Sequence, residues 1–112
     1  MQGRVEEETE KVQDQIQILV KEVGKEPEVR TIPNTLEALQ EIVGGYIETV
    51  FTKSGLVLIC DEDGKLKRKP RNFLWGDDII VGTVFFVGNT GEDFRGLTDS
   101  EIERLKESLA RR

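Results

Sequence analysis

The spacing of hydrophobic and polar positions changes several times along the chain, and each change marks an element boundary. From Gly3 to Gln15 charged residues dominate, with Val5, Thr9, Val12 and Ile16 at spacings of four, three and four, a single narrow helical stripe. Such a stripe is too thin to enter a core, so residues 1–15 read as a solvated helical arm or, as the second reading, an oligomerisation helix. The period then shortens: Ile16, Ile18 and Val20 alternate against Gln17, Leu19 and Lys21, which predicts a strand. Gly24, Lys25, Glu26 and Pro27 supply turn chemistry. Val29 to Ile32, bracketed by Pro27 and Pro33, then reads as a short edge strand closing a hairpin.

From Asn34 to Glu48 the pattern is helical and then extended. Asn34, with Glu37 three residues on, has the form of a capping box, and Leu36, Leu39, Ile42 and Val43 form one apolar face. Gly44 or Gly45 can take positive φ and end the helix. Tyr46 to Thr52 alternates as a strand with one wetter face, whereas Leu56 to Cys60 is apolar throughout, as in a central strand covered on both sides. Asp61 to Gly64 is a turn without the ligand spacing of an EF-hand. Ile79 to Val87 is the longest apolar run, a strand or bent strand with Gly82 marking a bulge or close backbone approach. Thr98 to Glu101 forms a second capping box, opening a helix with Ile102, Leu105 and Leu109 on one stripe. Arg104, Lys106, Arg111 and Arg112 suit the negative end of that helix.

These elements predict an α+β fold. A mainly antiparallel sheet of about five strands carries a helix at about 34–44, with a C-terminal helix at about 98–110 and an N-terminal helical arm. Residues 1–15 form the arm and residues 16–112 a single α+β domain, a size that suits one core.

Composition narrows the chemistry. The net charge of -6 disfavours bulk nucleic-acid binding or coating of an anionic membrane. No apolar run reaches the roughly 18 residues needed to cross a bilayer, and the first residues lack a signal core, so a cytoplasmic setting is expected. The chain has one cysteine, Cys60, and no histidine. Internal disulfides, ordinary zinc sites and histidine acid–base catalysis are therefore excluded, and no metal, cofactor or catalytic residue is expected. Cys60 reads as small core filler.

Against this acidic background, Lys65 to Arg71 gathers five of the 16 basic residues. Asn72, Phe73, Leu74 and Trp75 follow, reading as a loop that sets two aromatics beside positive charge. The pairing suits a phosphorylated, base-bearing ligand, with cations on phosphate and a ring under the base. The plainer alternative is a solvated basic loop whose aromatics cap the core.

Several blocks occur in order: TLEALQEIVGGYIE at Thr35 to Glu48, GLVLICDEDGK at Gly55 to Lys65, PRN at Pro70 to Asn72, DIIVGTVFFVG at Asp78 to Gly88, and EDFRGLTDSEIE at Glu92 to Glu103. Together they resemble a family of small domains of unknown function found in phages and mobile elements of Gram-positive bacteria, over about four-fifths of the chain. The charged arm and the loop Arg68 to Trp75, where Phe73 stands in place of an expected basic residue, depart from that pattern. The setting is similar to phage sponge proteins of the Thoeris anti-defence type, which sequester cyclic ADP-ribose or cyclic oligonucleotide signals. That similarity implies a non-enzymatic homo-oligomer binding a nucleotide-derived small molecule. Arg71, Asn72 and Arg95 would meet phosphate or ribose, Phe73 and Trp75 the base, and Tyr46 and Thr98 would be polar lining. Bland roles compete: Arg95 paired with Asp93 or Glu92, Tyr46 capping the sheet, and Thr98 as a helix cap. Two other functions stay open, an acidic accessory protein that inhibits a host enzyme by direct binding, and a carboxylate-based hydrolase using Asp61, Asp63, Asp77, Asp78 or Asp93.

Overall fold

The computed structural model describes residues 14–112. Nearly all of the expected N-terminal arm lies outside the described residues; its last residue, Gln15, already belongs to a strand. In order the elements are β1 (Gln15–Lys21), β2 (Glu28–Pro33), α1 (Leu36–Val43), β3 (Ile47–Phe51) and β4 (Val57–Asp61), followed by β5 (Arg71–Trp75), β6 (Asp78–Val81), β7 (Val84–Asn89), β8 (Phe94–Arg95) and α2 (Asp99–Ala110). The main sheet runs β2-β1-β7-β4-β3, with β8 paired to β7, and β5 and β6 form a separate two-stranded sheet. Every strand pair is antiparallel.

The expectation of about five strands is therefore corrected to eight strands in two sheets among the described residues. Three local causes account for the difference. The apolar run Ile79 to Val87 is cut at Gly82, whose φ of 74° turns the chain, so β6 leaves the main sheet and β7 enters its centre. The segment after the basic run is not a loop but β5, paired with β6 through an irregularity between Arg71 and Phe73. Finally, Phe94 and Arg95 add a two-residue strand against Asn89 and Gly88.

The period-two pattern gives each central strand two apolar faces, and each face builds its own core. On one side Ile16, Ile18 and Val20 of β1, Val57 and Ile59 of β4, and Phe85 and Val87 of β7 pack against Leu39 and Val43 of α1. On the other, Leu19, Leu58, Val84 and Phe86 meet Ile102, Leu105 and Leu109 of α2 together with Phe73 and Ile80 of the β5–β6 hairpin. Burial of each such side chain contributes about 2 kcal/mol. Both helices thus lie on the sheet, and α2 shares its face with the hairpin.

The first helix is capped one residue later than the sequence indicates. Thr35, in extended conformation, accepts the Ala38 N–H at 3.2 Å through its hydroxyl. Asn34 instead donates from its side-chain amide to the Phe94 carbonyl at 3.2 Å, and from its backbone to Asp14 at 2.8 Å, tying β8 and the β1 entry together. Gly44, at φ 80°, ends the helix and donates to the Gln40 carbonyl at 2.8 Å. Leu36, expected on the apolar face, is exposed.

Candidate functional site

The basic run Lys65 to Arg71 folds into the scaffold. Asp61 closes β4 with its side chain 1% exposed, and Lys67 and Lys69 both reach its Oδ2, at 2.8 and 2.7 Å. The same ammonium groups donate to the last carbonyls of α1, Lys67 to Gly44 at 3.2 Å and Lys69 to Val43 at 2.7 Å. That helix carries no basic residue in its own last turn, so the two lysines supply the cation its negative end favours. Burial by itself would raise the Asp61 pKa; the two ammonium groups and the Asp63 N–H outweigh it and hold the carboxyl at about 2. Gly45 is required beside this cluster, because a Cβ there would stand 2.6 Å from Asp61 Oδ1. Lys65 pairs with Asp78 at 2.8 Å on the surface.

Most of the ligand residues expected from the sequence are also committed to the fold. Asn72 donates to the carbonyls of Lys21 at 2.9 Å and Gly82 at 2.8 Å, and accepts from Lys21 Nζ at 3.0 Å, so it pins the hairpin to β1. Phe73 is 5% exposed, in the core against Phe86. Arg95 packs over Gly88 and grips Glu101 with both guanidinium nitrogens, at 3.0 and 2.9 Å. That fork is the main reason the Glu101 pKa falls to about 2, and it is Glu101 that Arg95 meets rather than Asp93 or Glu92. Thr98 caps α2 in a complete capping box with Glu101. Tyr46, immediately before β3, is 68% exposed and lines neither of the concavities that hold Trp75 and Arg71. Trp75 lines one concavity, and Arg71, with the scaffold-bound Asn72 and Phe73, lines another.

Trp75 lies against a groove of about 590 Å³ between the β3–β4 turn, the β5–β6 turn and α2. Its ring is wedged between Phe86, with centroids 5.2 Å apart, and the Arg112 guanidinium, 4.4 Å from the ring centroid. Around it stand Lys53 of the β3–β4 turn, Arg104 and Ser108 of α2, and Arg112. Among the described residues neither Lys53 nor Arg104 has a carboxylate partner. Phe51 borders the groove, but its register opposite Val57 puts its side chain on the α1 face, so Trp75 supplies the ring. A turn hydrogen bond between the Thr52 and Ser54 hydroxyls, 3.0 Å, and acceptance of the Leu56 N–H by Thr52 at 3.1 Å fix the loop that carries Lys53.

The groove offers a ring, cations and hydroxyls, but no poised acid or base. Its carboxylate, Glu101, is held ionised by Arg95. Cys60, on the same side of the sheet, is pushed up to about 11, first by burial and then by Glu48, Asp78 and Asp61, so its thiol stays protonated. No group of three or more histidine, cysteine, aspartate or glutamate residues suited to a metal ion occurs among the described residues.

A family model described as a domain of unknown function, DUF3846, matches residues 16–110. The chain belongs to this family. Neither a curated protein nor a solved structure gives a significant match. The DUF3846 span runs from β1 to the last residue of α2, so it takes in Lys53, Trp75 and Arg104 and stops short of Arg111 and Arg112. Lys53, Arg104 and Arg112 are functional candidates missing from the sequence reading. Their signal was present in part: Arg104, Ser108 and Arg112 recur at four-residue spacing, which aligns them on one face of α2.

Proposed function

We propose that this DUF3846 protein is a non-enzymatic binding protein that holds a phosphorylated, base-bearing small molecule in the groove beside Trp75. The observation that carries this reading is the gathering of Lys53, Arg104 and Arg112, without ion-pair partners among the described residues, around one aromatic ring in a groove whose carboxylate, Glu101, is taken by Arg95, in a chain of net charge -6. Cations of this kind bind phosphate, and an indole offers a stacking face. In the phage or mobile-element setting that the sequence resemblance implies, the ligand would be a nucleotide-derived immune signal of the cyclic ADP-ribose or cyclic oligonucleotide class, sequestered intact by a cytoplasmic homo-oligomer.

The test is thermal unfolding with a panel of cyclic ADP-ribose, cyclic dinucleotides, ADP-ribose and AMP, with inorganic phosphate as control. A ligand at about a hundred times its Kd stabilises the native state by about 2.7 kcal/mol, a shift of several degrees. It should be recovered unchanged by mass spectrometry after heating, and Trp75→Leu and Arg104→Gln should abolish the shift. Absence of stabilisation by every member overturns the reading, and recovery of a converted product overturns its non-enzymatic part.

A second reading, inhibition of a host enzyme by direct binding, is favoured by a different observation. Strand β3 is an edge of the main sheet, and Tyr46 and Phe51 at its two ends are 68% and 66% exposed. An open edge flanked by aromatics suits strand addition by a partner protein. Partner capture that survives Arg104→Gln but is lost on Thr49→Pro, in a variant that still folds, would select this reading.

A further inference from the structure

A second concavity, of about 600 Å³, lies on the other side of Arg112, between β5 and the end of α2. It shares Gly76, Ser108 and Arg112 with the Trp75 groove and adds Arg71 and Arg111. Arg112 is the ridge between the two. It donates to the Leu74 carbonyl at 3.3 Å and the Ser108 hydroxyl at 3.2 Å while its guanidinium covers Trp75. Those two bonds leave further guanidinium N–H donors free.

Each concavity has its own pair of cations beside that shared ridge. Lys53 and Arg104 stand on one side and Arg71 and Arg111 on the other. Among the described residues Arg71 has no ion-pair partner, and Arg111 has only a solvent-exposed contact at 3.9 Å to Glu107. An exposed pair of that kind adds little. Like charges gathered at the end of α2 exceed what its partial negative charge can balance. Each concavity therefore presents uncompensated positive charge next to an apolar wall, Trp75 in one and Leu74 in the other.

We infer that the ligand carries two phosphoryl groups separated by a nucleoside, one seated on each side of Arg112, as in a cyclic dinucleotide. The inference rests on the proposed binding function and narrows it. A pyrophosphate joins its two phosphoryl groups through one oxygen and would place both on one side of the ridge, leaving the other pair of cations without an anion. A mononucleotide would fill one concavity.

Calorimetric titration of the full chain with cyclic di-AMP, ADP-ribose and AMP tests this, in the parent, in Arg71→Gln/Arg111→Gln and in Lys53→Gln/Arg104→Gln. All four side chains are at the surface, and unchanged thermal unfolding without ligand verifies that each variant folds. Cyclic di-AMP should bind the parent at least about tenfold more tightly than ADP-ribose or AMP, one charge-assisted contact's worth. Arg71→Gln/Arg111→Gln should weaken cyclic di-AMP by about tenfold or more and leave AMP within about twofold, and should flatten the salt dependence of cyclic di-AMP binding. Equal affinity for AMP and cyclic di-AMP, or indifference of cyclic di-AMP to Arg71→Gln/Arg111→Gln while Lys53→Gln/Arg104→Gln abolishes binding, overturns the inference and leaves the binding function standing. Binding of none of the three overturns the inference, and failure of cyclic ADP-ribose to bind as well overturns the binding function.

Discussion

Lys67 and Lys69 converge on a buried carboxylate and the end of a helix, whereas Lys53 and Arg104 line a groove beside a ring, where the carboxylate, Glu101, is taken by Arg95. The first pair is conspicuous in the sequence as part of a dense basic run; the second is separated by half the chain. Density of charge along the chain thus says little about which cations remain available. A run of lysines beside Asp61 is spent on neutralisation and capping, and a scattered set brought together by α2 and a turn keeps its charge unpaired.

The largest test of this contrast is Asp61→Ala. Removing the carboxylate leaves two partly exposed ammonium groups facing each other over the end of α1 without their anion, so a loss of about 2–3 kcal/mol in urea unfolding is expected, below the range for a fully buried ion pair. Asp61→Asn, which keeps an acceptor for the Asp63 N–H, should lose less. If Asp61→Ala costs under about 1 kcal/mol, the basic run is not structural and its lysines return to the pool of ligand candidates.

Acid provides the next largest effect. The folded pKa of Asp61 is depressed, from 3.8 to about 2, so its contribution is present above the unfolded value and is lost as pH falls through the folded one. The shift amounts to about 2 kcal/mol. Glu101, lowered from 4.5 to about 2 chiefly by the Arg95 hydrogen bonds, acts in the same direction and over the same window. Stability measured by urea unfolding should therefore fall steadily between about pH 5 and pH 2. In Asp61→Asn/Glu101→Gln the slope should be shallower, and an unchanged slope would assign acid sensitivity to other carboxylates.

Much of the scaffold could be read from the chain because its determinants are local. The β1–β2 hairpin, the apolar strand β4, the glycine stop at Gly44 and the Thr98–Glu101 capping box depend on neighbours within a few residues. What was hidden depends on distant partners. Strand β5 follows a charged run, and its alternation of Phe73 and Trp75 against Asn72 and Leu74 becomes visible once β6 is split off at Gly82. The partners that hold Asn72 and Arg95, namely Lys21, Gly82 and Glu101, lie elsewhere in the sequence. The groove was only half legible: the four-residue spacing of Arg104 and Ser108 in α2 and Arg112 just beyond it was visible, but nothing in the sequence announces that the turn at Lys53 folds over them.

The smallest expected effect falls on the groove itself. Lys53→Gln/Arg104→Gln removes two cations that hold no carboxylate, from side chains at the surface, so the loss in stability should stay within about 0.5 kcal/mol. Relief of repulsion with Arg112 would raise the unfolding midpoint, most visibly at low salt, where repulsion between cations is least screened. Urea unfolding at low and high ionic strength measures both. A loss above about 1 kcal/mol would place Lys53 and Arg104 with Lys67 and Lys69 as structural cations, and the contrast on which the binding site rests would disappear. A neutral or positive change means that the fold gains nothing from keeping these two cations beside Trp75, the outcome that the proposed binding site requires.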